Sequence, residues 1–199
     1  MCGRYYLAGA YGTREVAPSE YAPIITEPGA APCMVKWGYE GRDKGRLIIN
    51  ARGESIRGKP LFGRDYLKRR CLIPADGFFE WDRERRRHCF CGEDKSELFM
   101  AGVWTGLPGE AGRFVILTAP ANERMRGIHD RMPVLISREE FPAWFGMPEE
   151  ADALLDGKIM GRQSFLEKKD LETDTGNANI EMYVQQSLAE WLGEAARKV

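Results

Sequence analysis

Short β-type runs crowd this chain and leave little room for long helices. Residues 3–7, 22–26, 33–39, 46–50, 77–81, 87–91, 98–105, 113–118 and 132–137 are rich in β-branched, aromatic and alternating apolar side chains. Residues 93–96, Glu-Asp-Lys-Ser, read as a hairpin turn between two of these runs. Helical patterns are brief, at 63–68, 121–126, 138–145 and 149–155, and residues 185–196 form an amphipathic terminal helix. This pattern predicts a β-rich α+β domain with peripheral helices rather than a doubly wound sheet. Neither a Gly-x-Gly-x-x-Gly fingerprint nor a Walker loop is present, so nucleotide-cradling chemistry has no foothold. With 199 residues, one domain spanning 1–199 is expected.

The bulk properties narrow the function classes. No apolar run approaches the roughly 18–20 residues that span a bilayer. Residues 1–7, Met-Cys-Gly-Arg-Tyr-Tyr-Leu, lack the apolar core of a secretory signal. The expectation is a cytoplasmic protein with no membrane partner. Five cysteines, an odd number, point to reduced thiols rather than a disulfide framework. Cys89 and Cys91 share a strand face after His88, but no second ligand pair accompanies them, so no metal and no other cofactor is expected. Net charge is −1. Residues 151–199 hold nine acidic and six basic side chains, a balance of −3, which leaves +2 on residues 1–150. A compact basic groove on a near-neutral protein is compatible with that split.

Four segments could carry chemistry. Removal of Met1 would make Cys2 a mature N-terminus with an amine and a thiol on adjacent carbons. An α-amino group, with a pKa of about 7.7–8.0, is partly neutral and nucleophilic at physiological pH, unlike an unperturbed lysine. An aldehyde would condense with that amine to an imine, and the thiol could close onto the imine carbon as a five-membered thiazolidine. Asn50 and Arg52, two residues apart at a strand end, share a face; Asn can orient an amine and Arg can fork a phosphate, although the residues alone favour a turn Asn with a solvated Arg. Glu80 lies between Phe79 and Trp81, where burial would raise its pKa into a range useful for proton transfer; a solvent-facing strand Glu is the other reading. Asp76-Gly77 reads as a turn. His129, one of two histidines, could act as acid or base, with Asp130 as its orienter and Arg131 near a phosphate; a structural His129 with Asp130 capping local backbone is the other reading.

Taken in order, Met1-Cys2-Gly3-Arg4-Tyr5, Trp37-Gly38, Asn50-Ala51-Arg52-x-Glu54, the 70–81 segment, Ala101-Gly102-Val103-Trp104, Leu117-Thr118, Ala121-Asn122 and the 129–133 segment resemble the SOS-response-associated peptidase (SRAP), or abasic-site processing, family. The likeness covers about three-quarters of the chain, and residues 150–199 diverge from the family pattern. It implies a single β-rich domain with antiparallel barrel-like sheets and a positively charged groove for single-stranded DNA. It also implies a DNA-damage function: a covalent thiazolidine between Cys2, freed of Met1, and the aldehyde of an abasic site, which shields the lesion. Removal of Met1 would be a peptidase-type self-processing step, and weak lyase activity through the imine would accompany it. By the same likeness Cys2 is the nucleophile, Asn50 positions its amine, Glu80 shuttles protons and His129 assists ring opening. Arg4, Arg52 and Arg131 are implied phosphate contacts, Trp37 lies near the groove or in the core, and a basic side chain in the 57–59 stretch is a further candidate. A monomer is expected. Two rival readings stay open, an N-terminal cysteine hydrolase and a passive single-strand-binding module.

Overall fold

The computed structural model describes residues 2–8, 14–41, 45–92, 96–106, 112–160 and 166–169. In chain order these form β1 (Arg4–Leu7), β2 (Arg14–Val16), β3 (Tyr21–Ile24), β4 (Cys33–Trp37), β5 (Tyr39–Glu40), β6 (Leu47–Ile48), β7 (Asn50–Arg52), a 3-10 helix (Gly53–Gly58), α1 (Gly63–Lys68), β8 (Arg70–Ala75), β9 (Gly77–Trp81), β10 (Arg87–Gly92), β11 (Leu98–Thr105), β12 (Arg113–Pro120), α2 (Glu123–Arg126), β13 (Arg131–Pro133), a 3-10 turn (Arg138–Glu140), α3 (Phe141–Phe145), α4 (Pro148–Ile159) and β14 (Leu166–Lys169). The amphipathic stretch 185–196 and most of the 93–96 turn lie outside the described residues.

Two sheets face each other. One has the order β14-β10-β9-β1-β2. The other runs β3-β4-β12-β11-β8, with β7 and β13 also paired to β12, and its two ends meet. Ile25, just past β3, exchanges backbone hydrogen bonds with Leu72 of β8 at 2.8 and 2.9 Å, so the sheet curls into a nearly closed barrel. The α+β, barrel-like architecture with short peripheral helices is thus the one expected, with one correction. The pairing is mixed rather than antiparallel: β12 runs parallel to β4 at Phe114↔Trp37 and to β7 at Ile116↔Asn50. Parallel neighbours need long crossovers, and both partners precede β12 by more than sixty residues.

Alternation along the central strands builds two cores. Cys71, Ile73 and Ala75 of β8, Leu98 and Met100 of β11, and Phe114 and Ile116 of β12 point to the interior between the sheets, where they meet Tyr5, Leu7, Phe78 and Phe90. Their in-between neighbours Leu72, Phe99, Ala101, Val103, Val115 and Leu117 face outward under Ile56, Tyr66, Trp144 and Leu155 of the helical layer. With both faces covered, these strands read as near-continuous apolar runs. Arg70 ties that layer down: its buried guanidinium donates to the carbonyl oxygens of Trp144 (2.7 Å), Tyr66 (2.9 Å) and Gly146 (2.6 Å). The 33–39 run breaks into β4 and β5 at Gly38, whose φ of 107° only glycine adopts freely. A side chain there would collide with Leu47.

Candidate active site

Cys2 enters the site from the start of β1. The β1–β9 register pairs Arg4 with Phe79; carried back, it sets Gly3 and Cys2 beside the Glu80–Trp81 end of β9. Asn50 opens β7, where parallel pairing to β12 fixes its place. Its side-chain amide donates to the Cys2 carbonyl oxygen at 2.9 Å. The amide oxygen of Asn50 is buried and has no hydrogen-bond partner among the described residues. Such an acceptor costs free energy unless a donor arrives.

Cys2 and Glu80 are both buried. Burial pushes the Cys2 thiol up, and the nearby Glu80 charge pushes it further, so the sulfur is held as a neutral thiol. Burial likewise raises the Glu80 carboxyl to about 7, and the Asp130 charge adds to that shift. A carboxyl near 7 can give or take a proton at physiological pH. Asp76, just before β9, is raised to about 6 by burial; its carboxylate accepts from the Ala8 N–H at 2.5 Å and so pins the end of β1.

His129 sits between α2 and β13. Asn122 caps α2 by accepting from the Met125 N–H, which holds the turn that leads to His129. The Arg131 N–H donates to His129 Nδ1 at 2.9 Å, and Asp130 Oδ1 is 3.0 Å from the same nitrogen. These neighbours make opposite demands, since the N–H needs an unprotonated nitrogen and the carboxylate a protonated one. Burial lowers the His129 pKa, so the neutral ring prevails, with its hydrogen on Nε2.

The expected DNA contacts divide. Arg4 and Arg52 are exposed; Arg4 pairs with Glu15 at 3.2 Å, and the Arg52 guanidinium makes no hydrogen bond among the described residues. Arg131 is turned inward. It forks the two carboxylate oxygens of Glu54 and donates to the Thr118 carbonyl at 2.6 Å and hydroxyl at 3.1 Å. A phosphate would have to displace that set, so its place in this structure is that of a clamp. Trp37 is fully buried, stacks on Phe114 and donates to the Ile49 carbonyl at 3.0 Å. A direct strand contact by Trp37 is therefore corrected to core packing. Arg57 is occupied by Asp152 and Asp156 of α4. Among the described residues, no three His, Cys, Asp or Glu side chains gather as a metal-ligand set. Thr118 is the partner that sequence reasoning misses. Its only signal is the period-two alternation of β12, which puts it beside the end of β13.

Comparison with known proteins converges on one family. The family described as SOS response associated peptidase (SRAP) matches residues 10–174, a span that starts after Cys2 and Arg4. The chain is 31% identical over 178 residues to the abasic site processing protein YoaM of Bacillus subtilis, covering 72% of this chain and 78% of that one. It is 34% identical over 144 residues to the abasic site processing protein YedK of Escherichia coli, covering 67% and 64%. A crystal structure of a phage-related protein from Bordetella bronchiseptica shares the fold, with a TM-score of 0.71, 21% identity and coverage of 88% and 96%.

Proposed function

The chain belongs to the SOS response associated peptidase family, and from that premise we propose that it captures abasic sites in single-stranded DNA through Cys2 once Met1 has been removed. The observation that carries this reading is the hydrogen bond from Asn50 to the Cys2 carbonyl, which holds the second residue of the chain beside a buried carboxyl tuned near neutrality. Its relatives' names point to the same lesion.

The chemistry balances in four steps. Hydrolysis of the Met1–Cys2 peptide bond consumes one water and releases methionine and a free Cys2 amine. Glu80, as the acid, protonates the ring oxygen of the abasic sugar while the anomeric hydroxyl gives up its proton, and the aldehyde opens. The amine then adds to that carbonyl and one water leaves, giving the imine. Finally the thiol sulfur adds to the imine carbon as its proton passes to the nitrogen, closing the thiazolidine. The unpaired Asn50 oxygen is an acceptor for the freed amine, and the Nε2–H of neutral His129 is a donor for the developing sugar oxygens. Phosphate contacts by Arg4 and Arg52 supply affinity without reading sequence, which suits a lesion that can occur anywhere. The thiazolidine removes the imine needed for β-elimination, so strand cleavage through that imine is a minor side path.

Incubation with an abasic oligonucleotide, followed by a denaturing gel and intact-mass analysis, tests the reading. The expected product is a heat-stable adduct whose mass is protein without Met1 plus oligonucleotide less one water. Cys2→Ala abolishes it, and an undamaged strand gives none. A hydrolase that works by acyl transfer would leave no such adduct. A passive binding module would shift damaged and intact strands equally and only in native gels.

A further inference from the structure

The β9–β10 hairpin leaves the sheet immediately beyond Glu80, and its loop is built around arginine. Residues 82–88 read Asp-Arg-Glu-Arg-Arg-Arg-His. The Asp82 carboxylate organises the turn: it accepts from the Arg86 N–H at 2.8 Å and Nε at 2.7 Å, and lies 2.9 Å from His88 Nε2. Backbone bonds from Asp82 N to Arg86 O and from Arg85 N to Asp82 O, both 3.1 Å, complete a three-residue loop. Local charges are then spent selectively. Arg86 is matched by Asp82 and Glu84, and Arg87 by Glu15 at 2.5 Å while it lies 3.6 Å over the Phe79 ring. Arg83 and Arg85 stand exposed, and their guanidinium groups make no hydrogen bond among the described residues.

Arg85 adopts a φ of 64°. Three-residue hairpin loops place glycine at that left-handed position because a side chain is disfavoured there. An arginine at the strained point of a well-tied loop needs a reason outside the fold. We propose that Arg83 and Arg85 form a second phosphate grip, which holds the single strand on the side of the lesion pocket where this hairpin emerges. Glu80 and Arg83 are three residues apart, so at most about 10 Å of chain separates them. That spacing lets one strand occupy both places. This assignment rests on the abasic-site reading for its ligand, but its test does not.

Anisotropy of a fluorescein-labelled, undamaged single strand, titrated with the full chain at several salt concentrations, reads the grip without any covalent step. Each arginine removed should flatten the slope of log K against log salt by about 0.7. Arg83→Ala and Arg85→Gly each show that drop, and the double variant shows about twice as much. Arg85→Gly should melt at or above the wild-type temperature, because glycine takes the left-handed backbone freely. An unchanged slope in the double variant overturns the proposal, as does a slope loss that appears only with a lowered melting temperature. Should wild type fail to crosslink while the slopes still fall, the Cys2 reading is lost and the hairpin grip stands.

Discussion

Glu80 shows at a single residue how the proposed chemistry opposes stability. Its carboxyl titrates at about 7, against an ordinary value of 4.5, because burial penalises the charged form. The folded state therefore holds this proton more tightly than the unfolded one. The residue's contribution to stability is whole below about pH 4.5 and is lost as pH rises through about 7. The shift corresponds to about 3 kcal/mol at most. Glu80→Gln, neutral at every pH, should match wild type in urea denaturation at pH 4 and exceed it by about 2–3 kcal/mol at pH 8, while crosslink formation slows severely. Asp76, raised to about 6, titrates in the same sense, but in both proteins alike, so it cancels from the comparison. A gap between mutant and wild type that stayed constant across pH would show that Glu80 is not the group concerned.

At the scale of elements, two arginines that look alike in sequence separate. Arg131 at the head of β13 spans Glu54 and Thr118, and thereby ties the 3-10 helix after β7 to β12. It also fixes the backbone whose N–H sets the His129 tautomer. Arg131→Ala should cost about 2–3 kcal/mol, since it leaves the Glu54 carboxylate and the Thr118 carbonyl without their charged donor. Arg52→Ala should stay within about 0.5 kcal/mol of wild type yet weaken single-strand binding. Thermal melts and strand titrations on the two variants measure this contrast; equal melting temperatures would count against the clamp.

Much of this level is legible in the sequence. Runs 77–81 and 98–105 are β9 and β11 to the residue, and 63–68 is α1, because turn residues and apolar alternation bound them locally. β8 does not read as a strand in sequence, since Pro74 interrupts it; the strand survives because it lies at the end of its sheet's path, where one missing N–H is tolerated. Run 132–137 shrinks to β13 because its residues divide between β12 and β11, a tertiary choice that no local pattern encodes. Cys2, Asn50, Glu80 and His129 can be singled out as residue types, but the Asn50–Cys2 contact spans 48 positions and depends on a parallel pairing that sequence alone does not reveal.

The whole molecule sets how each of the five cysteines can be reached. Cys33 is exposed at the start of β4, and the other four are buried. Beyond its own short strand Cys2 is held by the hydrogen bond from Asn50, so peeling the first residues from β9 would expose it without loss of either core. Cys71 lies in β8, between β11 and the Ile25–Leu72 closure, and burial holds its thiol far above the usual range. It can be reached only when the barrel opens, a global event costing about 5–15 kcal/mol in proteins of this kind. With the Met1-bearing chain, an excess of a chromogenic disulfide should therefore count one fast thiol in native buffer and five in denaturant. Peptide mass mapping over time should place Cys33 first, Cys2 next and Cys71 last, with the Cys71 rate tracking global unfolding as urea is added. If Cys71 were modified as quickly as Cys33, the sheet would not be closed at Leu72, and the pairing that brings β7, and with it Asn50, to Cys2 would lose its frame.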